Sequence, residues 1–473
     1  MFKKENFERF IKALLLVLLL VDLIYSFLQH YHTPFDGDIA GGVLPDKGVQ
    51  QVLDSPLGLD VFTKGVTYPN PNRFFSHFFF YKYFNSVPFY LQSFTDPISS
   101  IYLSSAIIKT LIQLVCILFI TIAIVGHSKL LNKNFLLAAL VITPLFQTNG
   151  YRSFMGIIDA AITYNFFYSL PFLFLILFFL PLLMRYYYQR KKVNDWLLLF
   201  LLFLLSFIIS LSSPINAGTV GVLALLFFIK KVFFSKHNVS LRNISTFDFL
   251  YFLPICALSI YSLYLGTFNA ISITNHKPLF EMYSNIPIGL IKMLTLKLGI
   301  PLLILTIVLN HIFIKRLFQT NGKKYLSLSK WMLLFILTYI ALLPLGGYRF
   351  YRPSIVRYDT LLPVLVVLFF MYGKSTLFLL NHLDGKRKFF YLGYVIMLML
   401  VFTNADKPEF DKNACERASL EKISSSDAKI IELETACTVL SWGKMTKPTY
   451  SEANGQLLKR WNIIKEEKRY YSK

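Results

Sequence analysis

The most regular feature of the chain is a succession of long apolar stretches separated by short polar ones. A helix that is apolar on every side lies in a large core or in lipid, and about 20 apolar residues cross the hydrocarbon of a bilayer. The sequence therefore predicts about eleven transmembrane helices, within a range of nine to thirteen. The predicted spans lie near residues 11–28, 98–126, 134–148, 161–184, 195–213, 215–233, 247–267, 287–314, 330–346, 356–373 and 389–404.

Composition agrees with this pattern. Hydrophobic residues make up 55% of the 473 positions and charged residues 16%, whereas a soluble domain usually carries about 25% charge. A water-soluble protein is therefore excluded. The predicted fold class is an all-α polytopic membrane protein, and the composition is compatible with a bacterial inner membrane.

The net charge of +22 raises the question of a nucleic-acid partner. The basic residues are not gathered on one domain but lie in short clusters between alternate apolar runs, as the positive-inside rule describes. We therefore predict no nucleic-acid partner, a cytoplasmic N-terminus and an extracytoplasmic C-terminus. The cytoplasmic loops would carry Lys129, Lys133, Arg185, Arg190, Lys191, Lys192, Lys230, Lys231, Lys236, Arg242, Lys315, Arg316, Lys323, Lys324, Lys374, Lys386, Arg387 and Lys388.

Two regions on the opposite side are long. The first outer loop, 30–97, contains an aromatic stretch at 73–91 that predicts one or two interfacial helices. The second is a small extracytoplasmic tail, 405–473. The remainder of the chain, 1–404, is the predicted transmembrane domain. Cys415 and Cys437 lie in this tail and could form a disulfide in an oxidising compartment.

The first candidate for chemistry is the sequence Phe35-Asp36-Gly37-Asp38, which follows the first predicted span directly. Two carboxylates one residue apart can hold a divalent cation such as Mg²⁺ or Mn²⁺, or act as base and orienting group. Asp36 and Asp38 are therefore the candidate catalytic and metal-binding residues. The alternative is that they form a solvated loop turn.

The second candidate is a run of arginines and tyrosines on the predicted outer face, ahead of the tenth span. It contains Arg349, Tyr351, Arg352 and Arg357. Arginine offers a bidentate fork for phosphate, so these residues are candidate ligands of a phosphate-bearing substrate. The alternative is that Arg357 and Asp359 form a structural ion pair while the other arginines bind lipid headgroups.

Further ionisable residues lie near the same predicted face, and charges at membrane depth usually face a cavity or a partner. Together they suggest one polar cavity open to the outer leaflet. Those assigned to substrate binding are Arg152, Asp159, His276 and Lys292, and Asp22, Lys277, Glu281 and Lys297 accompany them.

The many spans, the large first outer loop, the acids directly after the first span and the small outer tail resemble the GT-C superfamily of integral membrane glycosyltransferases. In that family an acid of the first outer loop is the catalytic base or binds metal, and the sugar comes from a polyprenyl-phosphate or -diphosphate carrier. The resemblance implies that Asp36 or Asp38 is the base and that Arg349, Arg352 and Arg357 hold the lipid phosphate. The tail is much smaller than the large domain of oligosaccharyltransferases, which argues against that branch.

The expected function is therefore a hexosyl- or pentosyltransferase that uses a lipid-linked sugar donor and a glycan or lipid acceptor among membrane lipids. A flippase or transporter of lipid-linked oligosaccharide would also need arginines and a polar cavity, but it would tend to place charges at the midplane and to show repeated halves. A surface-polysaccharide polymerase or ligase shares the same donors and is a further alternative.

Overall fold

The computed structural model of the protein describes residues 2–151, 155–190, 194–234, 240, 244–273, 277–346, 354–434 and 436–473. These residues form a nearly all-helical molecule with one small two-stranded sheet. The helices are α1 Phe2–Tyr31, α2 Ile39–Val43, α3 Lys47–Asp54, α4 Asp60–Thr63, α5 Phe74–Phe84, α6 Val87–Leu91, α7 Pro97–Val125, α8 Lys133–Ile142, α9 Ile162–Tyr186, α10 Asp195–Ser210, α11 Pro214–Phe233, α12 Thr246–Gly266, α13 Ala270–Ile273, α14 Leu279–Thr295, α15 Gly299–Leu317, α16 Lys323–Leu342, α17 Leu362–His382, α18 Gly385–Ala405, α19 Ala414–Ser425 and α20 Glu452–Arg460.

Nine helices within the described ranges are long and apolar enough to cross a membrane: α1, α7, α9, α11, α12, α15, α16, α17 and α18. The protein is accordingly an integral membrane protein. Two shorter apolar helices, α8 and α10, stand where two further spans were predicted. The predicted total of eleven crossings counts both of them and stays a prediction.

The ends of the long helices gather on two faces of the molecule. One face, which we call the loop face, carries the loop 32–96 and the tail 406–473, and there the Phe35 N–H of the loop donates to the Glu416 carboxylate of the tail. The other, which we call the basic face, brings together the end of α7 and the turn after α9, where Tyr188 and Lys374 both donate to the Ile124 carbonyl. Lys374, predicted in a loop, therefore lies within α17 close to its basic-face end.

One predicted span is wrong in its extent. The run 287–314 is divided into α14 and α15, and of the two only α15 is long and apolar enough to cross a membrane. The chain between α14 and α15 lies at the loop face. A Cβ on Gly299, the first residue of α15, would lie 2.9 Å from Cγ of Tyr151. The preceding residue, Gly150, packs against the Ala405 carbonyl, where the tail begins. Pro301 at the start of α15 lacks the N–H that would continue α14, so a new helix begins there.

The C-terminal tail is folded against the loop face. Helix α19 is followed by strand β1 (Ile430–Leu433), which pairs in parallel with strand β2 (Arg469–Ser472). A disulfide joins Cys415 on α19 to Cys437, so the pair that the sequence allowed is formed. The indole of Trp461 is fully buried and donates to the Phe84 carbonyl of α5. The tail and the first loop thus share one core.

Candidate active site

The Asp36-Gly37-Asp38 sequence forms a tight turn between α1 and α2 on the loop face. The Asp36 carboxylate is only 3% exposed and accepts three hydrogen bonds. The hydroxyl and the backbone N–H of Thr163 donate to it at 2.9 and 3.1 Å, and the backbone N–H of Asp38 donates at 3.1 Å. Thr163 lies in the first turn of α9, so the acid of the first loop is fixed by a span 127 residues later.

The environment of Asp36 favours its neutral form. Burial raises the pKa of Asp36 from 3.8 to about 6, although the hydrogen bonds from Thr163 and Asp38 favour the ionised carboxylate. A carboxylate with a pKa close to neutral is a stronger base than an ordinary aspartate while it is still ionised at pH 7. The raised pKa is therefore of the kind found at acid–base sites.

Asp38 differs from its neighbour because its side chain is exposed. It stands at the N-cap position of α2, yet its carboxylate makes no capping hydrogen bond. The side chain is accordingly available to a substrate or a cation at the surface of the loop face. The turn thus combines one buried, immobilised carboxylate with one accessible carboxylate two residues away.

Gly37, between the two acids, is covered by the tail. A Cβ on Gly37 would lie 2.6 Å from both Cδ1 and the backbone nitrogen of Trp442, so a larger residue cannot stand there without moving the tail backbone. The indole of Trp442 also packs against Tyr164 of α9, with ring centroids 5.6 Å apart. The turn is therefore held between α9 and the tail.

A second turn, 157–161, leads into α9 beside Thr163. Its shape is set by Asn165, whose side chain accepts from the Asp159 N–H at 3.0 Å and donates to the Asp159 and Ala161 carbonyls. Lys109 of α7, which is 1% exposed, donates to the Ala160 carbonyl at 2.5 Å. Asn165 also begins a π-helical turn that reaches Ser169, a distortion that recurs at functional sites.

The same turn contacts the segment that precedes α17. Burial and the negative charge of the nearby Asp159 carboxylate raise the pKa of Tyr358 above its usual value, so the two side chains lie close together. Arg357, next in the chain, donates from Nε and Nη2 to the two oxygens of Asp359 at 2.9 and 3.2 Å. Asp36 and the segment 354–360 therefore both touch the stretch 159–165.

The structure brings part of the predicted site together. Asp36, Asp38 and Asp159 lie at one junction, and Tyr358 joins them to Arg357. Two of the guanidinium nitrogens of Arg357 donate to Asp359, so the structural ion pair that was the alternative to a phosphate role is formed. Lys292 is exposed on α14, whose Gly289 packs closely against Val356. The remaining predicted ligands lie outside the described residues: Arg152, His276, Arg349, Tyr351 and Arg352.

A divalent cation would find a partial donor set at the turn. Among the described residues no group of three or more His, Cys, Asp or Glu side chains could hold a metal ion. Asp38 is accessible, and Oδ2 of Asp36 accepts one hydrogen bond and retains a lone pair. Mg²⁺ commonly takes one or two carboxylates and fills its remaining positions with water and substrate phosphate. The two acids fit such a cation.

Sequence reasoning missed the residues that hold the turn in place. Thr163, Glu416 and Trp442 lie 127 to 406 positions from Asp36 in the chain, and none belongs to a motif. Glu416 of α19 is 1% exposed and accepts from the Phe35 N–H at 3.0 Å. The one available signal was that Glu416 follows Cys415, one of the two cysteines predicted to form a disulfide.

Comparison with known proteins gives few relatives. No protein-family model matches the sequence, and no curated protein matches it. The fold is that of a polytopic helical membrane protein.

Among solved structures, the chain is similar to the oligosaccharyltransferase of Archaeoglobus fulgidus in complex with Zn and sulfate. The two are 12% identical, the match covers 87% of this chain and 55% of that chain, and the TM-score is 0.39. The chain thus spans about half the length of that protein.

Proposed function

We propose that the protein is a GT-C-like glycosyltransferase that moves a hexose or pentose from a polyprenyl-phosphate-type carrier to a glycan or lipid acceptor. The observation that carries this proposal is the unequal pair of acids on the loop face. Asp36 is buried, has a raised pKa and is fixed by Thr163, while Asp38 is exposed two residues later. Two carboxylates in different environments are the usual means of separating a reacting group from an orienting group.

In this proposal Asp38 is the base, because its carboxylate is the accessible one. It takes the proton of an acceptor hydroxyl as the hydroxyl oxygen forms a bond to the anomeric carbon. The bond from that carbon to the phosphate oxygen breaks, and its electron pair leaves on the carrier phosphate. Asp36 fixes the backbone of the turn by accepting the Asp38 N–H, which holds the base in position.

The leaving phosphate needs positive charge nearby. The proposed ligands are Arg349, Arg352 and Arg357 with Tyr351, joined by Arg152, His276 and Lys292. Of these, Arg357 retains N–H donors beyond the three that contact Asp359 and the Ser354 carbonyl. A bound Mg²⁺ or Mn²⁺ would supply further charge for the phosphate, with Asp36 and Asp38 as its carboxylate ligands.

The loop face is proposed to be extracytoplasmic, in a bacterial inner membrane with the N-terminus in the cytoplasm. Two observations support this orientation. The basic face carries Arg185, Arg190 and Lys231 near helix ends, as expected of a cytoplasmic side. The Cys415–Cys437 disulfide is on the loop face, and disulfides persist in oxidising compartments.

The decisive experiment is sugar release from synthetic polyprenyl-phosphate-linked hexoses and pentoses by the full-length protein in lipid nanodiscs, with water as acceptor. Asp38→Asn should lower kcat by about 100-fold or more, the usual contribution of a general base. Asp54→Asn, an exposed acid in the same loop, is the matched control and should keep normal activity. Full activity in Asp38→Asn would exclude Asp38 as the base, and full activity in Asp36→Asn as well would exclude either acid of this turn as the base.

Two further arms test the donor site. Chelation with EDTA should lower the rate, and added Mg²⁺ or Mn²⁺ should restore it, whereas an unchanged rate would remove the cation from the proposal. Arg352→Ala should weaken binding of the polyprenyl-phosphate donor. Unaltered affinity of that variant would discard the phosphate role of this arginine.

A further inference from the structure

The carboxylate of Glu416 connects three separate parts of the chain. Its Oε2 accepts from the Phe35 N–H at 3.0 Å and from the Tyr102 hydroxyl of α7 at 2.7 Å. Its Oε1 accepts from the Leu440 N–H at 2.9 Å. One side chain of the tail therefore fixes the residue directly before Asp36 to a span and to the tail segment that leads to Trp442.

The disulfide strengthens this arrangement. Cys415 immediately precedes Glu416, and Cys437 lies three residues before Leu440, so the bond joins the two tail segments that flank the turn. Glu416 holds the backbone at Phe35 on one side, and Trp442 covers Gly37 on the other. The acids of the first loop are thus clamped between two parts of the tail that are covalently linked.

Burial of the Glu416 carboxylate is energetically unfavourable for a contact that has only a structural role. Glu416 is 1% exposed, and the partners that the structure gives it in the described residues, the Phe35 and Leu440 N–H groups and the Tyr102 hydroxyl, are all neutral. The neighbouring Arg417 instead places its guanidinium over the rings of Tyr31 and Tyr102, at 4.6 and 4.2 Å from their centroids. Burial raises the pKa of Glu416 to about 7. Well-packed apolar residues commonly give equal or greater stability than buried charges, so the geometry that Glu416 imposes is the better reason for its presence.

From this geometry we infer that Glu416 is a positioning residue of the active site, which makes the tail a working part of the enzyme. It does not touch the substrate. It fixes the Phe35 backbone and thereby the placement of the Asp38 carboxylate relative to the acceptor. This inference rests on the proposed function, because the turn matters for transfer only if Asp38 is the base. Displacements of about 1 Å at a reacting group can lower the rate by about 100-fold.

The test compares Glu416→Ala, Glu416→Gln and the control Glu421→Gln in full-length protein. Glu421 is an exposed acid on the same helix. Glu416→Gln is nearly isosteric and retains one acceptor oxygen for Phe35 and Tyr102. We therefore expect it to fold normally, so that it can be compared with Glu416→Ala even if that variant misfolds. The first measurement is hydrogen exchange at the Phe35 amide. Loss of its acceptor in Glu416→Ala should speed exchange about tenfold, with a smaller change in Glu416→Gln and none in the control.

The second measurement is kcat and KM for sugar release from the polyprenyl-phosphate-linked donors. Glu416→Ala should lower kcat by about 100-fold and leave KM within about twofold, since the donor site is intact. Glu416→Gln should recover part of kcat, and Glu421→Gln should match the wild type.

The outcomes separate the two proposals. Full activity in Asp38→Asn would overturn the proposed function, and the exchange measurement would still decide whether Glu416 fixes the turn. Unchanged exchange at Phe35 in Glu416→Ala overturns the inference whatever the activity. Faster exchange with an unchanged kcat also overturns it, because the contact would then be structural only.

Discussion

Gly37 lies so close to Trp442 that the two residues cannot both keep their places if Gly37 gains a side chain. A Cβ at this position would lie 2.6 Å from the Trp442 backbone nitrogen, and backbone cannot swing aside as the end of a flexible side chain can. The glycine between the two acids is thus required by the tail that covers it.

Gly37→Ala should therefore displace the segment around Trp442 and lower sugar release by at least about tenfold, because steric strain of about 1–3 kcal/mol is typical of such overpacking. Limited proteolysis of the tail and the release assay are the measurements. Gly443→Ala is the control, since no atom lies within 4 Å of the Cβ position there. A protease-resistant, fully active Gly37→Ala protein would contradict the close packing.

Thr163→Val tests the link between Asp36 and α9. The variant keeps the backbone donor but removes the hydroxyl that donates to Oδ1 at 2.9 Å. That hydrogen bond favours the ionised carboxylate, so its loss should raise the pKa of Asp36 further above about 6. Because Asp36 becomes protonated as the pH falls through its pKa, the acid limb of the pH–rate profile should move to higher pH by about one pH unit.

Thr163→Ser, which keeps a hydroxyl, should retain the wild-type profile. An acid limb that is identical in the wild type and in Thr163→Val would show that Asp36 does not govern the rate in this pH range.

The tail disulfide can be tested chemically. Cys415→Ser with Cys437→Ser should lower the free energy of unfolding of the tail by about 3 kcal/mol, because the closed loop of 22 residues limits the unfolded chain. Thermal unfolding followed by tail proteolysis would measure the loss. In wild-type protein denatured without reductant, a thiol reagent should label only Cys116 and Cys256. Labelling of all four cysteines would contradict the disulfide and the proposed extracytoplasmic location.

Arg357 and Asp359 form a pair whose members have unequal burial, with side chains 25% and 3% exposed. Arg357→Ala should destabilise the protein by about 1.5–3 kcal/mol, because the buried Asp359 carboxylate would lose two charge-assisted hydrogen bonds from the guanidinium. The double variant Arg357→Ala/Asp359→Ala should recover most of that loss in a thermal unfolding assay.

The double variant also tests the phosphate role predicted for Arg357. Recovered stability without recovered binding of the polyprenyl-phosphate donor would support that role. A double variant as unstable as Arg357→Ala would show that the ion pair is not what Arg357 contributes.

The sequence predicts the membrane class well because lipid imposes a strong and local requirement on each span. The run near 98–126 corresponds to α7, and the short run near 134–148 corresponds to α8 with the 3₁₀ turn after it. The error at 287–314 arose because the hydropathy of a continuous apolar run does not show where one helix ends and the next begins. Residues of α14 such as Ile288 and Ile291 are apolar and exposed, so they extended the predicted span beyond the start of α15.

The site was predictable only in part. Asp36 and Asp38 could be recognised because two acids beside a membrane span are conspicuous in sequence. Their partners could not, because Thr163 is an unremarkable residue in a predicted span and Glu416 is one of several acids in a polar tail. The contacts depend on how α9 and α19 pack beside the first loop, and local patterns contain no record of contacts across hundreds of residues.

The sharing of one core by the first loop and the tail has a consequence for biosynthesis. A ribosome synthesises residues 36–38 long before it reaches Glu416 and Trp442. The first loop therefore lacks its contacts with the tail until the intervening helices have been inserted. A nascent chain interrupted before the tail would be embedded in the bilayer but would lack the contacts from Glu416 and Trp442 that shape the turn proposed to be catalytic. That turn would therefore reach its final conformation only after the tail has been synthesised and has folded against the first loop.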